Sequence, residues 1–204
     1  MGMRNIVKTY EDPLDLVWTH CAASIGIQIE RDDEVFASWN GRGTLRVGKE
    51  SLDPDDSLAQ MILHELCHAL VEGPDAFSEA DWGLNTPTTK SRVHEFAALR
   101  LQAGLADGHG LRTFFSATTD FHEYYGALPD DPFRGFVRDE SVFECLRPVT
   151  RTEDRQAIDL ANNAHVAWLQ SLWREPMENS LRATAEIRSA IQHCVPADSL
   201  WKSS

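Results

Sequence analysis

The sequence is short of long apolar runs, of cations and of cysteine, and each shortage excludes something. No stretch approaches the roughly 18 consecutive apolar residues that a membrane-spanning helix needs, so no membrane partner is expected. Lysine and arginine total 19 against 32 aspartates and glutamates, a formal charge of −13. No basic cluster interrupts that acidity, which repels phosphate backbones and sets nucleic-acid binding aside as a main task. The four cysteines, Cys21, Cys67, Cys145 and Cys194, are scattered and form no CxxC pair. The opening run MGMRNIVKTYEDPLDLVW has neither the apolar centre nor the small-residue cleavage site of an export signal, and Gly2 lacks the downstream Ser or Thr of a myristoylation site. The expected compartment is therefore the cytoplasm, with reduced thiols as the default, although a Cys145–Cys194 bridge stays open. Internal repeats and low-complexity tracts are also missing.

What is present fits one domain. A chain of 204 residues, 42% hydrophobic and 25% charged, has the size and composition of a globular unit with a real core. Residues 1–204 are read as a single metalloenzyme domain, with 1–106 as the metal-binding core and 107–204 as a C-terminal helical extension. Asp12 and Pro13 mark a helix start, and Leu14, Val17, Trp18, Cys21, Ala22 and Ile25 then share one helical face. EVFASW and TLRVG flank an Asn-Gly turn and predict a hairpin. LDPDDSLAQMILHELCHALVEGP reads as a helix opened by Asp53 and Pro54 and closed by Gly73 and Pro74. A loop from Asp75 leads to a second strong helix, SRVHEFAALRLQAGLADG, with Val93, Phe96, Ala97, Leu101 and Leu105 toward the core. Gly and Pro punctuate residues 107–150, which predicts short elements and loops. Two closing helices follow, joined near Glu175-Pro176. The fold class is α+β, mostly helical, with a small hairpin or sheet beside the His-bearing helix.

The chemistry concentrates in MILHELCHALVEG. On a helix, His64 and His68 are 400° apart, so they lie within about 40° of one another, one turn on. Both imidazoles can then point at one metal ion, and Glu65 can reach a water held there without being a ligand. Two histidines and a glutamate among Met61, Ile62, Leu63, Leu66, Ala69 and Leu70 are costly to bury unless something satisfies them. The plain alternative is a polar stripe on an amphipathic helix. A catalytic single-metal site usually takes three protein ligands. The first choice for the third is Glu95 on the next helix, where Ala97 and Ala98 allow close packing. His94 is a competing ligand or outer-sphere residue, Asp81 comes next, and a ligand from the C-terminal half stays open.

HELCH followed by a glutamate on the next helix resembles the gluzincin branch of zinc metallopeptidases, and EFAAL is similar to that branch's ExxA-type motif. The resemblance implies a zincin-like core, His64, His68 and Glu95 as zinc ligands, and Glu65 as the base that activates water. HELCHALVEGPDAFSEADWG also resembles the metal-site region of elongation factor P hydroxylases, through His64, Glu65, His68, Gly73, Asp81, Trp82 and Gly83. That second resemblance implies an iron-dependent hydroxylase acting on a lysine-derived side chain of a translation factor. It does not extend beyond Gly83.

The expected function is thus a metal-dependent hydrolase that cleaves a peptide or amide bond, with one divalent metal, zinc first and iron as the alternative. A peptide or protein substrate is the expected partner. The competing readings are a non-haem iron hydroxylase of a protein side chain and a non-catalytic zincin-fold binding module. Downstream, Asp120, His122, Glu123, Tyr124 and Tyr125 gather polar groups able to stabilise an oxyanion, but aromatics packed under a loop explain them more simply. His109 reads as a turn residue, His20 and His165 as structural. Cys67, Trp168 and Trp173 read as core.

Overall fold

Asp12 starts the first helix as its sequence predicts. Its side chain accepts the Leu14 N–H at 2.8 Å, and Pro13 occupies the first turn, where it has no helical hydrogen bond to lose. A computed structural model of the protein describes residues 11–49, 52, 56–84, 89–117, 121–138 and 150–194, with the backbone alone for 89–91. Helix α1 (Pro13–Ser24) buries Trp18, Cys21 and Ala22 and leaves Leu14, Val17 and Ile25 half-buried against the same core.

The helical face ends before Ile25, which caps α1, and Gly26 at φ +84° turns the chain into strand β1 (Gln28–Arg31). No strand is predicted here, because QIER offers one apolar residue and a mostly exposed face. Strands β2 (Ala37–Trp39) and β3 (Thr44–Val47) form the predicted hairpin, antiparallel, with Ala37 opposite Val47 and Trp39 opposite Leu45. Asn40 shapes the turn by accepting the N–H groups of Arg42 and Thr44 at 2.7 and 3.0 Å. Gly41 has φ +69°, and a Cβ there would lie 2.8 Å from the Ser78 carbonyl oxygen. β1 pairs in parallel with β3, giving the sheet order β1-β3-β2.

Helix α2 (Leu58–Glu72) opens at Ser57, whose hydroxyl accepts the Gln60 N–H at 3.2 Å. The predicted opening at Asp53 and Pro54 is corrected to that point; those two residues themselves lie outside the described ones. Gly73, at φ +82°, ends the helix with its N–H on Ala69 O at 3.1 Å. The predicted loop begins with a 3₁₀ turn, Pro74–Ser78, followed by a left-handed turn over Ala80–Gly83. Helix α3 (Thr89–Asp107) follows, then the short α4 (His122–Ala127). Helix α5 (Arg151–Gln170) begins with a capping box between Thr150 and Glu153. Helix α6 is Arg174–Cys194. The break between the closing helices falls at residues 171–173, not at Glu175-Pro176, because Pro176 is tolerated within the first turn of α6.

Helix α2 is central: α1, α3 and α5 pack on it, while α3 lies along α5 and α1 against α6. The C-terminal half thus braces the His-bearing helix instead of standing apart from it. Leu63 and Leu66 on α2 are fully buried, each contributing about 1.5–3 kcal/mol. One apolar cluster joins α1, the sheet and α2 around Trp18, Trp39 and Leu45; the other gathers Phe96, Leu99, Tyr124, Tyr125 and Ala161. Val93, Phe96, Ala97, Leu101 and Leu105 are all buried, as their spacing predicts. At Gly104 an added Cβ would sit 2.2 Å from the Phe133 ring, so bare backbone is what admits that ring against α3. Cys21, Cys67 and Cys194 are free thiols; Cys145 lies outside the described residues. Among the described residues no helix is long and apolar enough to cross a membrane.

Candidate metal centre

The 3.6-residue repeat of α2 does what its spacing requires. The Nε2 atoms of His64 and His68 lie 3.1 Å apart, with the rings edge to face at 88°. Glu95, carried by α3 across the interface, sets Oε1 at 3.2 Å from His64 Nε2 and Oε2 at 3.0 Å from His68 Nε2. These three side chains can hold a metal ion: one ligand atom from each falls within 4.8 Å of the others. Two ligands about 2.0–2.1 Å from a tetrahedral ion stand about 3.3 Å apart, close to the observed separations. Ala97 and Ala98 are fully buried on α3; Ala98 joins the apolar cluster that α2 fills, and Ala97 the one shared with α5.

The electrostatics match that donor set. Burial alone would lower the pKa of His64, but the adjacent Glu95 carboxylate, with help from Glu65 and Gln102, pushes it up to about 9. Burial would raise Glu95, yet His68 and His64 hold it well below the usual carboxylate range. The trio therefore draws positive charge, which a proton or a divalent cation can supply.

Gln102 fixes the orientation of His64. Its NH₂ group donates to the Phe115 carbonyl at 2.6 Å, so its oxygen must face His64 Nδ1, at 2.8 Å. A carbonyl oxygen only accepts. Nδ1 therefore carries the hydrogen, and in the neutral ring the Nε2 lone pair faces the trio. Among the described residues His68 Nδ1 is buried without a hydrogen-bond partner, so the polar contacts of this ring all go toward the trio through Nε2. Gln102 is absent from the sequence-based candidates. Its signal is nonetheless there, because it follows Glu95 by seven residues, two turns, and so lies within about 20° of the same face.

Glu65 borders the same cleft, and its Oε2 accepts the indole N–H of Trp82 at 2.9 Å. Trp82 is 4% exposed and stacks on Trp39 with centroids 4.4 Å apart and planes 8° apart. Its backbone is left-handed (φ +55°), as is that of Asp81 (φ +48°), a conformation that costs an L-residue about 1–2 kcal/mol. Asp81 holds the turn through one carboxylate oxygen, which accepts Trp39 N–H at 3.1 Å and the Ser38 hydroxyl at 2.9 Å.

The structure thus brings His64, His68 and Glu95 together and engages the two lower-ranked candidates elsewhere. Asp81 is the anchor of the turn. His94 faces Glu72, Nδ1 to Oε1 at 2.5 Å, although it is the neighbour of Glu95 in sequence. Successive helical residues point about 100° apart, which is why only one of them reaches the trio. The cleft holds about 320 Å³ and is lined by the trio, Glu65 and Gln102 together with Phe36, Met61, Leu99 and Phe121. Strand β2 reaches the same cleft through Ala37.

Of the downstream polar group, the described members His122, Glu123, Tyr124 and Tyr125 turn inward or outward, and none lines the cleft. Tyr124 and Tyr125 are buried, with hydroxyls on Asp154 at 2.8 Å and Arg112 O at 3.1 Å, and His122 bonds Ala117 O at the surface. Asp120 lies outside the described residues. Cys67 is fully buried and Trp168 is 5% exposed. His165 stacks between Phe133 and Trp168. Compared with models of known protein families, with curated proteins and with solved structures, the chain matches none.

Proposed function

We propose that this protein is a metal-dependent hydrolase of the zincin type, acting on a peptide or amide bond. The observation that carries the reading is the convergence of His64, His68 and Glu95 on the wall of a cleft that also presents Glu65. Zinc is the proposed ion; when bound, it lowers the pKa of a coordinated water toward about 7 and polarises a carbonyl. Glu65 accepts the proton of the attacking water and delivers it to the leaving amine. Gln102 and Glu95 keep the imidazoles aimed, and the apolar lining from Phe36, Met61, Leu99 and Phe121 limits water around the scissile bond.

The test is metal analysis of protein purified without added metal, followed by screening with a fluorogenic peptide library. About one ion per chain and cleavage lost in Glu65→Gln with metal retained is the expected result. A Glu65→Gln protein that still cleaves overturns the assignment of the base. Two imidazoles and one carboxylate are also the donor set of non-haem iron oxygenases, and this observation favours that chemistry as the second reading. Oxygen uptake by the iron-loaded protein in the presence of a protein substrate, without peptide cleavage, would replace the first reading with the second.

A further inference from the structure

Glu65 is held from the side by a residue that cannot compete with it for a proton. Indole is a donor only, so Trp82 can fix Oε2 of Glu65 without accepting a proton from water or adding a second titrating base. Buried indoles usually satisfy their N–H on whatever acceptor is near. Trp39 does this with the Phe77 carbonyl at 3.1 Å. Trp82, stacked flat on that same Trp39, instead spends its donor on a carboxylate in the cleft.

The backbone is bent to achieve this. Asp81, Trp82 and Gly83 all have positive φ, +48°, +55° and +77°, a conformation that a bulky aromatic avoids. The turn is held from strand β2 through Asp81, and Phe77 closes on the indole edge-on with centroids 5.4 Å apart. Stacking on Trp39 needs no left-handed backbone as such. A strained, anchored turn whose product is one donor aimed at one carboxylate fits the placing of strain at a working site.

We infer that Trp82 is a positioning residue for Glu65: the Asp81–Gly83 turn locks one carboxylate oxygen, Oε2, and leaves Oε1 to take the proton of the reacting water. This rests on the hydrolase reading, in which Glu65 is the base. Without the indole donor, Glu65 swings among rotamers and its proton transfer suffers, while the metal ligands stay in place.

The experiment uses acetohydroxamic acid, which gives up a proton on chelating a metal and so needs a base beside the ion. Its Kd for the zinc-loaded full chain is measured by calorimetry in wild type, Trp82→Phe, Glu65→Gln and the double variant, with zinc content determined for each. Each single change is expected to raise Kd about tenfold, the low end of what a charge-assisted hydrogen bond contributes, with zinc content unchanged. The double variant is expected to bind no more weakly than Glu65→Gln alone, because Trp82 then has no base to place. A merely structural Trp82 would weaken zinc binding or add its full effect to that of Glu65→Gln. If Glu65→Gln raises Kd and Trp82→Phe does not, the positioning role is overturned and the hydrolase reading stands. If Glu65→Gln leaves Kd unchanged, the hydrolase reading fails and this inference with it. Should Trp82→Phe misfold, benzothienylalanine at position 82 keeps ring and stacking while replacing N–H by sulfur, and is held to the same outcomes.

Discussion

The side-chain carbonyl of Gln102 accepts the Nδ1–H of His64 at 2.8 Å, and this one contact decides which nitrogen of the ring faces Glu95 and His68. The chain of constraint is short. Phe115 O accepts only, so the amide of Gln102 can sit one way round, and so can the imidazole.

Gln102→Leu removes that constraint while roughly keeping side-chain bulk. The expected outcome is a 10–100-fold loss of metal affinity, the usual effect of losing the hydrogen-bond partner of a ligating histidine. Competition with a chromophoric chelator measures it. The buried Phe115 carbonyl also loses its donor, so a stability loss of about 1–3 kcal/mol should accompany it. Unchanged metal affinity alongside that stability loss would make Gln102 a core hydrogen bond and nothing more.

Much of this centre is legible in the chain because helices report their own geometry. HELCH fixes the angle between His64 and His68, and the cap at Asp12, the Asn40-Gly41 turn and Gly73 each declare an element boundary through local chemistry. Glu95 is legible as a carboxylate on the following helix, but sequence cannot say that it, and not His94, faces α2; that depends on how α3 rolls against α2. β1 is invisible because its pairing with β3 is parallel and non-local. The Trp82–Glu65 bond is invisible for a similar reason, since it requires a left-handed turn that no residue in ADW announces.

Arg100 is a fully buried cation on α3, five residues from Glu95, and it has no counterpart among the sequence-based candidates. It donates to Asp154 Oδ1 at 2.6 Å, to the Tyr124 hydroxyl at 2.8 Å, and to the carbonyls of Pro132 and Gly135 at 2.6 and 2.9 Å. Asp154 is completed by the Tyr124 hydroxyl and by Val137 N–H at 3.1 Å. The network ties the segment 121–138, which supplies Phe121 to the cleft, to α3 and α5. Arg100→Met strands the buried Asp154 carboxylate, and a loss of about 3–5 kcal/mol in urea-unfolding free energy is expected. Replacing both members, Arg100→Met with Asp154→Leu, should cost less than the sum of the two single changes. A loss below about 1 kcal/mol for Arg100→Met would mean that water reaches Asp154 and that the network is not dry.

Glu153 contributes to the acid limb of stability, as Glu95 also does. Burial would raise its pKa, but the Thr150 N–H at 2.7 Å and the Arg92 guanidinium at 2.6 Å outweigh that and hold it below the ordinary glutamate value. A carboxyl depressed in the folded state binds fewer protons there than in the unfolded chain. Its contribution is therefore fully present above the unfolded pKa of about 4.3 and is lost as pH falls through the lower folded value. Glu153→Gln removes this contribution at neutral pH, where the lost cap and charge-assisted bond should cost about 1–2 kcal/mol. The difference between wild type and variant should then shrink as pH drops below about 4, because wild-type Glu153 becomes neutral as well. Urea-unfolding curves at pH 7 and near pH 3 measure both ends. A difference that stays constant across that range would show that the capping geometry, which Gln can partly keep, matters and that the charge on Glu153 does not.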